Sequence, residues 1–412
     1  DLNDSRKITS QGEVIIKEPI RTNKFVSSLK ILFKELPSVK YYFLLTHAGR
    51  PKGGKFEPQL SLKPNIEIIK KNLEGLDVLV ELLPFDLTLA EKRINQIKEE
   101  YPDKRVVFIF ENVRFYPEEK SDNPQERETF QSKLIEVTQK SSDRLLYCDE
   151  AFDKEHRDKE ASMELRNFIP KENRFFGLYT WEIVKELADF DEKIEKAEKI
   201  LVFFGGAKFD KFSQIGKLAK RFLEKLTIVL MGALANPYLV SIGKDVGESK
   251  LPTEEKDIKK VEKGLKNIKS AKVEVLSPKD FVVEGIKEPQ TDLKGKKQID
   301  IGPQTIKAYQ EEIASLKEGD VVVINGGAGM FEKPQAREGT KKLLLALEEA
   351  SQRGVYVLAV GVDMNNAIKI VEEDLKRPLT DKIIRISAGG ALLEAIAVGV
   401  KNMPNVKAIL DG

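Results

Sequence analysis

The chain of 412 residues has one cysteine, one tryptophan, two histidines and no surplus of either charge. A single thiol, Cys148, excludes an intrachain disulfide and a cysteine-built metal cluster, and it suits a reducing cytoplasm. It follows the apolar Leu145-Leu146-Tyr147, so it reads as a buried, inert thiol rather than a nucleophile. Lys and Arg total 69 against 67 Asp and Glu, a net charge of +2, which offers no electrostatic footprint for nucleic acid or an anionic membrane. No apolar run reaches the roughly 18 residues of a membrane helix. The first residues, Asp1-Leu2-Asn3-Asp4-Ser5-Arg6-Lys7, do not read as a signal peptide. The chain starts at Asp1 rather than Met, which leaves room for residues upstream.

What is present is an ordinary globular composition, 41% apolar and 33% charged, at a length that favours two domains. At the middle of the chain stands Ile200-Leu201-Val202-Phe203-Phe204, followed by Gly205-Gly206-Ala207-Lys208-Phe209-Asp210-Lys211. Five apolar residues, two glycines and a lysine opening a helical pattern read as a buried parallel strand turning tightly into a helix. Two glycines let backbone approach a ligand or take positive φ, and the helix start offers free N–H groups. Lys208 and Lys211 add two mobile charges, and the combination suits phosphate. Taken alone, an ordinary strand-turn-helix corner explains it as well.

Strands and helices alternate on both sides of this stretch, which predicts an α/β protein with two doubly wound parallel sheets of Rossmann-like form. In the first half the expected strands are Tyr41 to Thr46, Asp77 to Leu82, Arg105 to Phe110 and Leu145 to Cys148. Helices are expected from about Asn23 to Leu36, Leu62 to Leu73, Ala90 to Tyr101 and Glu126 to Lys140. Such sheets bind ligands beyond the carboxyl ends of their strands. There the sequence carries His47 and Arg50, then Arg114, then His156 and Arg157. Arg21, in a loop just before the first helix, falls on the same side. A lone arginine is most often a surface salt bridge. Several at one edge make a site for a small, multiply charged anion, since the guanidinium fork matches carboxylate and phosphate. The histidines titrate near neutrality, yet hydrogen bonding is the preferred role, because transfer between preformed oxyanions needs no base.

Thr180 to about Lys199 shows apolar residues at helical spacing, among them Trp181, Val184, Leu187, Ile194 and Ala197, and reads as a helix connecting the two halves. Beyond it, strands are expected at Ile200 to Phe204, Leu226 to Met231, Val273 to Leu276, Val321 to Ile324, Val355 to Val360 and Ile383 to Ile386. Their carboxyl ends carry Gly205-Gly206, Gly232, Asn325-Gly326-Gly327, Gly361-Val362-Asp363 and Gly389-Gly390, which suits a nucleotide lying over bare backbone. Neither the dinucleotide Gly-x-Gly-x-x-Gly spacing nor a Walker loop is present. Asp363 could meet a metal on the nucleotide phosphates, and Glu332 a ribose hydroxyl, although a helix cap or solvated role fits each carboxylate equally well. The polar segment Lys287 to Asp300 reads as an exposed loop.

These residues, in this order, resemble the phosphoglycerate kinase family. Thr46-His-Ala-Gly-Arg-Pro-Lys-Gly53 is similar to its Ser-His-Leu-Gly-Arg-Pro-Lys-Gly motif. Glu111-Asn-Val-Arg-Phe115, Glu150-Ala-Phe152 with His156-Arg157, Gly205-Gly-Ala-Lys208, Asp300-Ile-Gly-Pro-Gln-Thr305, Asn325-Gly326 with Phe331-Glu332, and Gly339-Thr340 match others. The resemblance implies that Asp1, Asn3, Arg21, His47, Arg50, Arg114 and Arg157 hold 3-phosphoglycerate. It likewise implies that Gly205, Gly206, Ala207, Lys208, Lys211, Gly232, Asn325, Glu332, Gly361, Val362, Asp363, Met364, Gly389 and Gly390 line the site for ADP or ATP with Mg²⁺, the metal resting on Asp363. Arg21 and Lys208 would be the catalytic pair on the transferring phosphoryl. The implied domains are residues 1–179 for the acid, a helix over 180–199 spanning a cleft, residues 200–385 for the nucleotide, and a return to the first domain over 386–412. The implied protein is a cytoplasmic monomer that acts on small molecules, without nucleic acid or membrane.

The nucleotide loops depart from the family. Lys211 matches the second lysine only with one residue deleted. Asn-Gly-Pro-Met-Gly becomes Asn325-Gly-Gly-Ala-Gly329, Gly-Gly-Gly-Asp-Thr becomes Val360-Gly-Val-Asp-Met364, and one glycine is lost around Gly389. The strand that precedes the family's Asp-Phe-Asn is absent before Asp1, so the chain looks trimmed at its beginning. Two readings therefore stand: a kinase that moves the acyl phosphate of 1,3-bisphosphoglycerate to ADP reversibly, and a weakly active or non-catalytic paralogue that binds a phosphorylated acid.

Overall fold

Ile200–Phe204 and Val321–Asn325 are buried along their whole length and lie side by side as parallel strands at the centre of a six-stranded sheet. The computed structural model describes residues 2–51, 54–139, 144–154, 159–386 and 390–411. The chain divides into one unit of Asp1–Ile183 with Pro404–Gly412 and another of Val184–Met403. The division falls inside the helix Leu178–Lys196.

In the second unit the strand order is Glu274–Leu276, Leu226–Leu230, Ile200–Phe204, Val321–Asn325, Tyr356–Val360, Ile383–Ile386. All neighbours pair in parallel. The chain lays down three strands outward, then returns to the far side of Ile200–Phe204 and lays down three more. The order therefore reverses between Ile200–Phe204 and Val321–Asn325, where the flanking loops diverge and leave a crevice. Asp320 joins the amino ends of these two strands by accepting from Lys199 N at 2.9 Å and Lys317 N at 2.8 Å. Leu201, Phe203, Ile324, Tyr309, Leu343 and Ile368 belong to the cluster that fills this unit's core. Each such side chain contributes about 1.5–3 kcal/mol on full burial.

In the first unit, Arg105–Ile109 runs parallel between Tyr41–Leu44 and Val78–Leu82. Side chains alternate across it. Val107 and Ile109 join Leu29 and Ile66, while Phe108 and Phe110 join Ile94, Phe130 and Leu134. Helices therefore cover both faces. Tyr147–Asp149 does not extend this sheet and instead pairs in parallel with Arg174–Phe176. A hairpin of Ser5–Ile8 and Val14–Glu18 opens the unit.

Four expectations need correction. The helix Ile20–Glu35 starts early enough to contain Arg21, because the Asp4 carboxylate accepts from Arg21 N at 2.8 Å and Thr22 N at 3.0 Å and so caps it from 17 residues away. Lys287 to Asp300 is not a free loop. Ile286–Gln290 and Gln298–Ile301 are strands flanking Phe281–Val283 in an antiparallel sheet, and Ile299 and Ile301 are buried while the lysines mask the alternation. The segment after residue 386 stays with the second unit through Met403. Its helix Gly390–Val398 holds to Phe212–Phe222 through Glu394 with Lys217 and through Arg221 Nη1 donating to Ile396 O at 2.7 Å. Only Pro404–Leu410 returns, where Ala408 O accepts from Arg174 at 3.2 Å. Finally, the expected fourth strand is shorter and later than predicted, and Tyr147–Asp149 pairs with Arg174–Phe176 apart from the three-stranded sheet.

Buried Asp300 caps the helix Glu338–Gln352, accepting from Gly339 N at 2.9 Å, and also accepts from Ile301 N at 2.9 Å. Burial outweighs these bonds and pushes its carboxyl from 3.8 up to about 7. Between those values the folded chain holds a proton that the unfolded chain has released, so stability falls as pH rises through the window. Thermal unfolding of Asp300→Asn at pH 5 and pH 8 is expected to show a smaller fall than wild type. An equal fall in both proteins would exclude Asp300 as its source.

Candidate functional site

Two loop-lined edges, one in each unit, collect most of the residues singled out from the sequence. In the first unit the edge lies beyond the carboxyl ends of Tyr41–Leu44 and Arg105–Ile109. Its loops are sewn together by side chains that bond backbone. Asn112 Nδ2 donates to Ala48 O at 2.7 Å and Leu60 O at 3.0 Å. Glu111 accepts from Leu62 N at 2.9 Å and Ser61 Oγ at 2.7 Å. Arg114 is buried, and its Nη1 donates to Gly49 O at 2.8 Å. Gly49 has φ +63°, a conformation strained for any other residue, and a Cβ there would also have to move the end of the Leu60 side chain. The amino-terminal residues are bound to the same edge. Leu2 N donates to Thr46 Oγ1 at 2.9 Å, and Asn3 Oδ1 accepts from Gly49 N at 2.7 Å. Asp4 then fixes the helix that carries Arg21.

Asn3, Arg21, His47 and Arg114 are thus brought to one region, with His47 buried and Arg50 exposed at its rim. Asp1, Arg157 and His156 lie outside the described residues. Carboxylates missed in the sequence also belong to this region. Asp153 Oδ2 contacts Arg21 Nη2 at 3.0 Å. Glu160, buried, is shared by Arg114 at 3.4 Å, Lys120 at 3.5 Å and Lys154 at 3.1 Å. Glu150 caps Leu178–Lys196, accepting from Tyr179 N at 3.2 Å and from Ser28 Oγ, and burial raises its carboxyl above the usual range. Burial and the neighbouring Glu150 and Asp149 also raise the Cys148 thiol, which removes thiolate character. No local pattern marks Asp153 or Glu160, whose contacts with Arg21 and Arg114 are distant in sequence, and the motif Glu150-Ala-Phe152 does not reveal that Glu150 caps a helix.

The second unit's edge sits at the reversal point of the sheet. Gly205 N donates to Asn325 O at 2.9 Å and Gly206 N to Gly327 O at 3.0 Å, so the two central turns are bonded to each other. A Cβ on Gly205 would lie 2.2 Å from Gly327 O. Glycine is required there by turn-on-turn packing rather than by the approach of a ligand. Gly206, Gly232, Gly326 and Gly361 all have positive φ.

Over these turns Lys208 Nζ meets Asp363 Oδ2 at 2.7 Å, with side chains 66% and 55% exposed. Lys211 differs from expectation. It is no mobile charge, since its ammonium is turned inward onto Gly205 O at 2.9 Å and Asn325 O at 3.5 Å. Burial and neighbouring Lys208 lower its pKa to about 8. Asn325 is buried and donates to Val360 O at 2.7 Å, and its Oδ1 has no hydrogen-bond partner among the described residues. Ala207, Val362 and Glu332 are exposed, and Gly390 opens a helix. Met364, next to the exposed Asp363, turns its side chain wholly into the core, so it is closed to a ligand. Gly389 lies outside the described residues. Among the described residues no three His, Cys, Asp or Glu side chains gather as a metal site, and no helix is long and apolar enough to cross a membrane.

Gly205→Ala is expected to cost about 1–3 kcal/mol in denaturant unfolding, because neither backbone can yield; a neutral result would contradict the packed turns. Lys211 sheds its proton near pH 8 when folded and near 10.5 when unfolded, so across that window unfolding takes up a proton and stability rises with pH. The stability difference between wild type and Lys211→Met is therefore expected to move in favour of wild type from pH 8 to pH 10. A flat difference would place the amine in solvent.

A profile of the phosphoglycerate kinase family matches residues 8–398. Similar curated proteins include the phosphoglycerate kinase of Pseudothermotoga lettingae, 29% identical over 415 residues that cover 95% of this chain and 93% of the relative. That of Bifidobacterium adolescentis is 30% identical over 383 residues, covering 89% and 86%. Among solved structures, phosphoglycerate kinase from Coxiella burnetii matches with a TM-score of 0.66 at 21% identity, over 100% of this chain and 94% of that one. The enzyme from Pyrococcus horikoshii OT3 gives 0.66 at 20%, over 99% and 94%. These two likenesses bear on the fold, and the profile match and the curated relatives bear on descent. Together with motifs that keep their order from Thr46 to Thr340, they establish that this chain belongs to the phosphoglycerate kinase family.

Proposed function

We propose that the chain catalyses reversible phosphoryl transfer between 1,3-bisphosphoglycerate and ADP, giving 3-phosphoglycerate and ATP. The observation that carries this reading is the exposed pair Lys208 and Asp363, 2.7 Å apart over the glycine turns at the reversal point of the sheet. A solvent-exposed ammonium and a solvent-exposed carboxylate at that place are the two groups a magnesium-nucleotide needs from protein. Asp363 would hold Mg²⁺, and the residues fit: one solvent-facing carboxylate leaves the remaining ligands to phosphate oxygens and water, as Mg²⁺ prefers. When bound, the metal neutralises phosphate charge.

The protein's part in such a transfer is alignment and charge neutralisation, without a covalent intermediate. Lys208, released from Asp363, would follow the transferring phosphoryl, where added positive charge lowers the barrier most. Arg21 would meet the same group from the acid side, its backbone held by Asp4. Arg114, His47, Arg50 and Asn3 would hold the 3-phosphoglycerate anion, with Arg114 fixed by Gly49 and Glu160. Lys211 would act by holding the carbonyls of the two turns in place, a positioning part rather than a phosphate contact. Its withdrawal from the surface also favours a second reading, in which the chain binds a phosphorylated acid with little or no turnover.

The test is ATP-dependent phosphorylation of 3-phosphoglycerate. Wild type is expected to turn over, and Arg21→Ala and Lys208→Ala are each expected to lose about 100-fold or more in kcat, as removal of a group acting on developing charge does. A folded wild type that binds 3-phosphoglycerate without turnover would replace the kinase reading with the second one.

A further inference from the structure

Arg21 and Arg114 both meet carboxylates, yet the two acids are held in different ways. Glu160 is 5% exposed and shared among Arg114, Lys120 and Lys154, of which Lys154 is itself buried. Three cations on one carboxylate leave that cluster net positive and anchor Glu160 as a fixed strut. Asp153 is one quarter exposed and reaches Arg21 through a single oxygen, Oδ2, at 3.0 Å. Its other oxygen, Oδ1, is buried without a hydrogen-bond partner among the described residues. With one cation on one oxygen and a quarter of its side chain exposed, Asp153 is less firmly held than Glu160, which three cations share at 5% exposure.

The guanidinium it touches is in the opposite condition. Arg21 lies in the first turn of Ile20–Glu35, fixed at its backbone by Asp4, with its side chain 37% exposed. Arg21 is thus preorganised and open to solvent, while its partner acid is the loosely held member of the pair.

From this asymmetry we propose that Asp153 is a resident competitor for Arg21, a carboxylate that occupies the guanidinium until an incoming anion takes its place, and that it thereby sets the affinity of the first unit's anion site. The proposal deepens the function proposed above and rests on it for the identity of the anion, although not for the competition itself. An anion at Arg21 must displace Asp153 and then lie near a carboxylate, so the resident acid lowers affinity for every anion and does so most for those of highest charge. Release of Asp153 lets its side chain turn to water and relieves the unsatisfied oxygen, which keeps the exchange shallow in free energy.

The test uses the whole chain and two probes, inorganic sulfate and 3-phosphoglycerate, titrated by calorimetry into wild type, Asp153→Asn, Arg21→Ala and the double variant. Asn keeps an acceptor for Arg21 and removes the charge. Partly exposed ion pairs are worth up to about 1 kcal/mol, so Asp153→Asn is expected to bind sulfate roughly three- to fivefold more tightly than wild type. In the Arg21→Ala background the same change is expected to have no effect, which a double-variant cycle reads directly. Unchanged or weaker sulfate binding in Asp153→Asn overturns the proposal, and so does a gain that persists without Arg21. A purely structural part for Asp153 would instead lower the unfolding midpoint and leave the sulfate affinity alone. Sulfate tightening without any 3-phosphoglycerate binding would uphold the competitor and remove the proposed substrate. Sulfate binding left unmoved while 3-phosphoglycerate is phosphorylated would do the reverse. In turnover, the competitor predicts a lower KM for 3-phosphoglycerate in Asp153→Asn by the same three- to fivefold.

Discussion

The second unit depends on the parallel pairing of Ile200–Phe204 with Val321–Asn325. Everything at its candidate site follows from the closeness of those two strands. Their turns leave the sheet in contact, Gly205 against Gly326 and Gly327, and no side chain fits between them. That packing fixes the platform from which Lys208 and Asp363 project. It also explains why Lys211 is drawn inward: two carbonyls, Gly205 O and Asn325 O, face the same small volume and need a donor. The amine that supplies it gives up part of its charge at neutral to alkaline pH.

A second constraint runs through both units. Several helices begin at residues that offer no side-chain cap, such as Pro19 and Gly302, and receive their cap from an acid elsewhere. Asp4 serves Ile20–Glu35, Glu111 the turn before Lys63–Asn72, Glu150 the start of Leu178–Lys196, Asp280 Pro303–Ala314 and Asp300 Glu338–Gln352. Each acid closes a long loop and satisfies helix N–H groups that would otherwise be buried unpaired. Where burial outweighs the bonds received, as at Asp300 and Glu150, the carboxyl is raised and becomes a source of pH dependence. Stability and site geometry are joined in this way, since Asp4 and Glu111 sit within the first unit's candidate edge itself.

The charge pattern of that edge differs from a plain arginine cluster. Arginines alone would repel one another and spread. Here Glu160 gathers Arg114 with two lysines, and Asp153 stands at Arg21. Acids set between cations lower the self-repulsion of such an edge in the absence of anion. They also lower the net positive charge that a ligand meets, so affinity and preorganisation pull against each other.

Most strands and helices were legible in the sequence, because apolar periodicity and glycine punctuation are local signals. Ile200–Phe204 and Ile383–Ile386 were read to the residue. The hairpin Ser5–Ile8 with Val14–Glu18 and the sheet containing Gln298–Ile301 were not, since strands of three to five residues with polar members give too little alternation to read. The positions of Arg114, Lys208 and Asp363 beyond strand ends were also legible, because a parallel sheet sends its carboxyl-end loops to one edge, whereas Arg21 lies inside the helix Ile20–Glu35. What only the tertiary structure decided is which groups those residues meet: Asp153 on Arg21, Glu160 among three cations, Lys211 under the turns, and five distant acids at helix starts. Those pairings depend on strand order and loop closure over tens to more than a hundred residues, and no local pattern of residues encodes a contact at that separation.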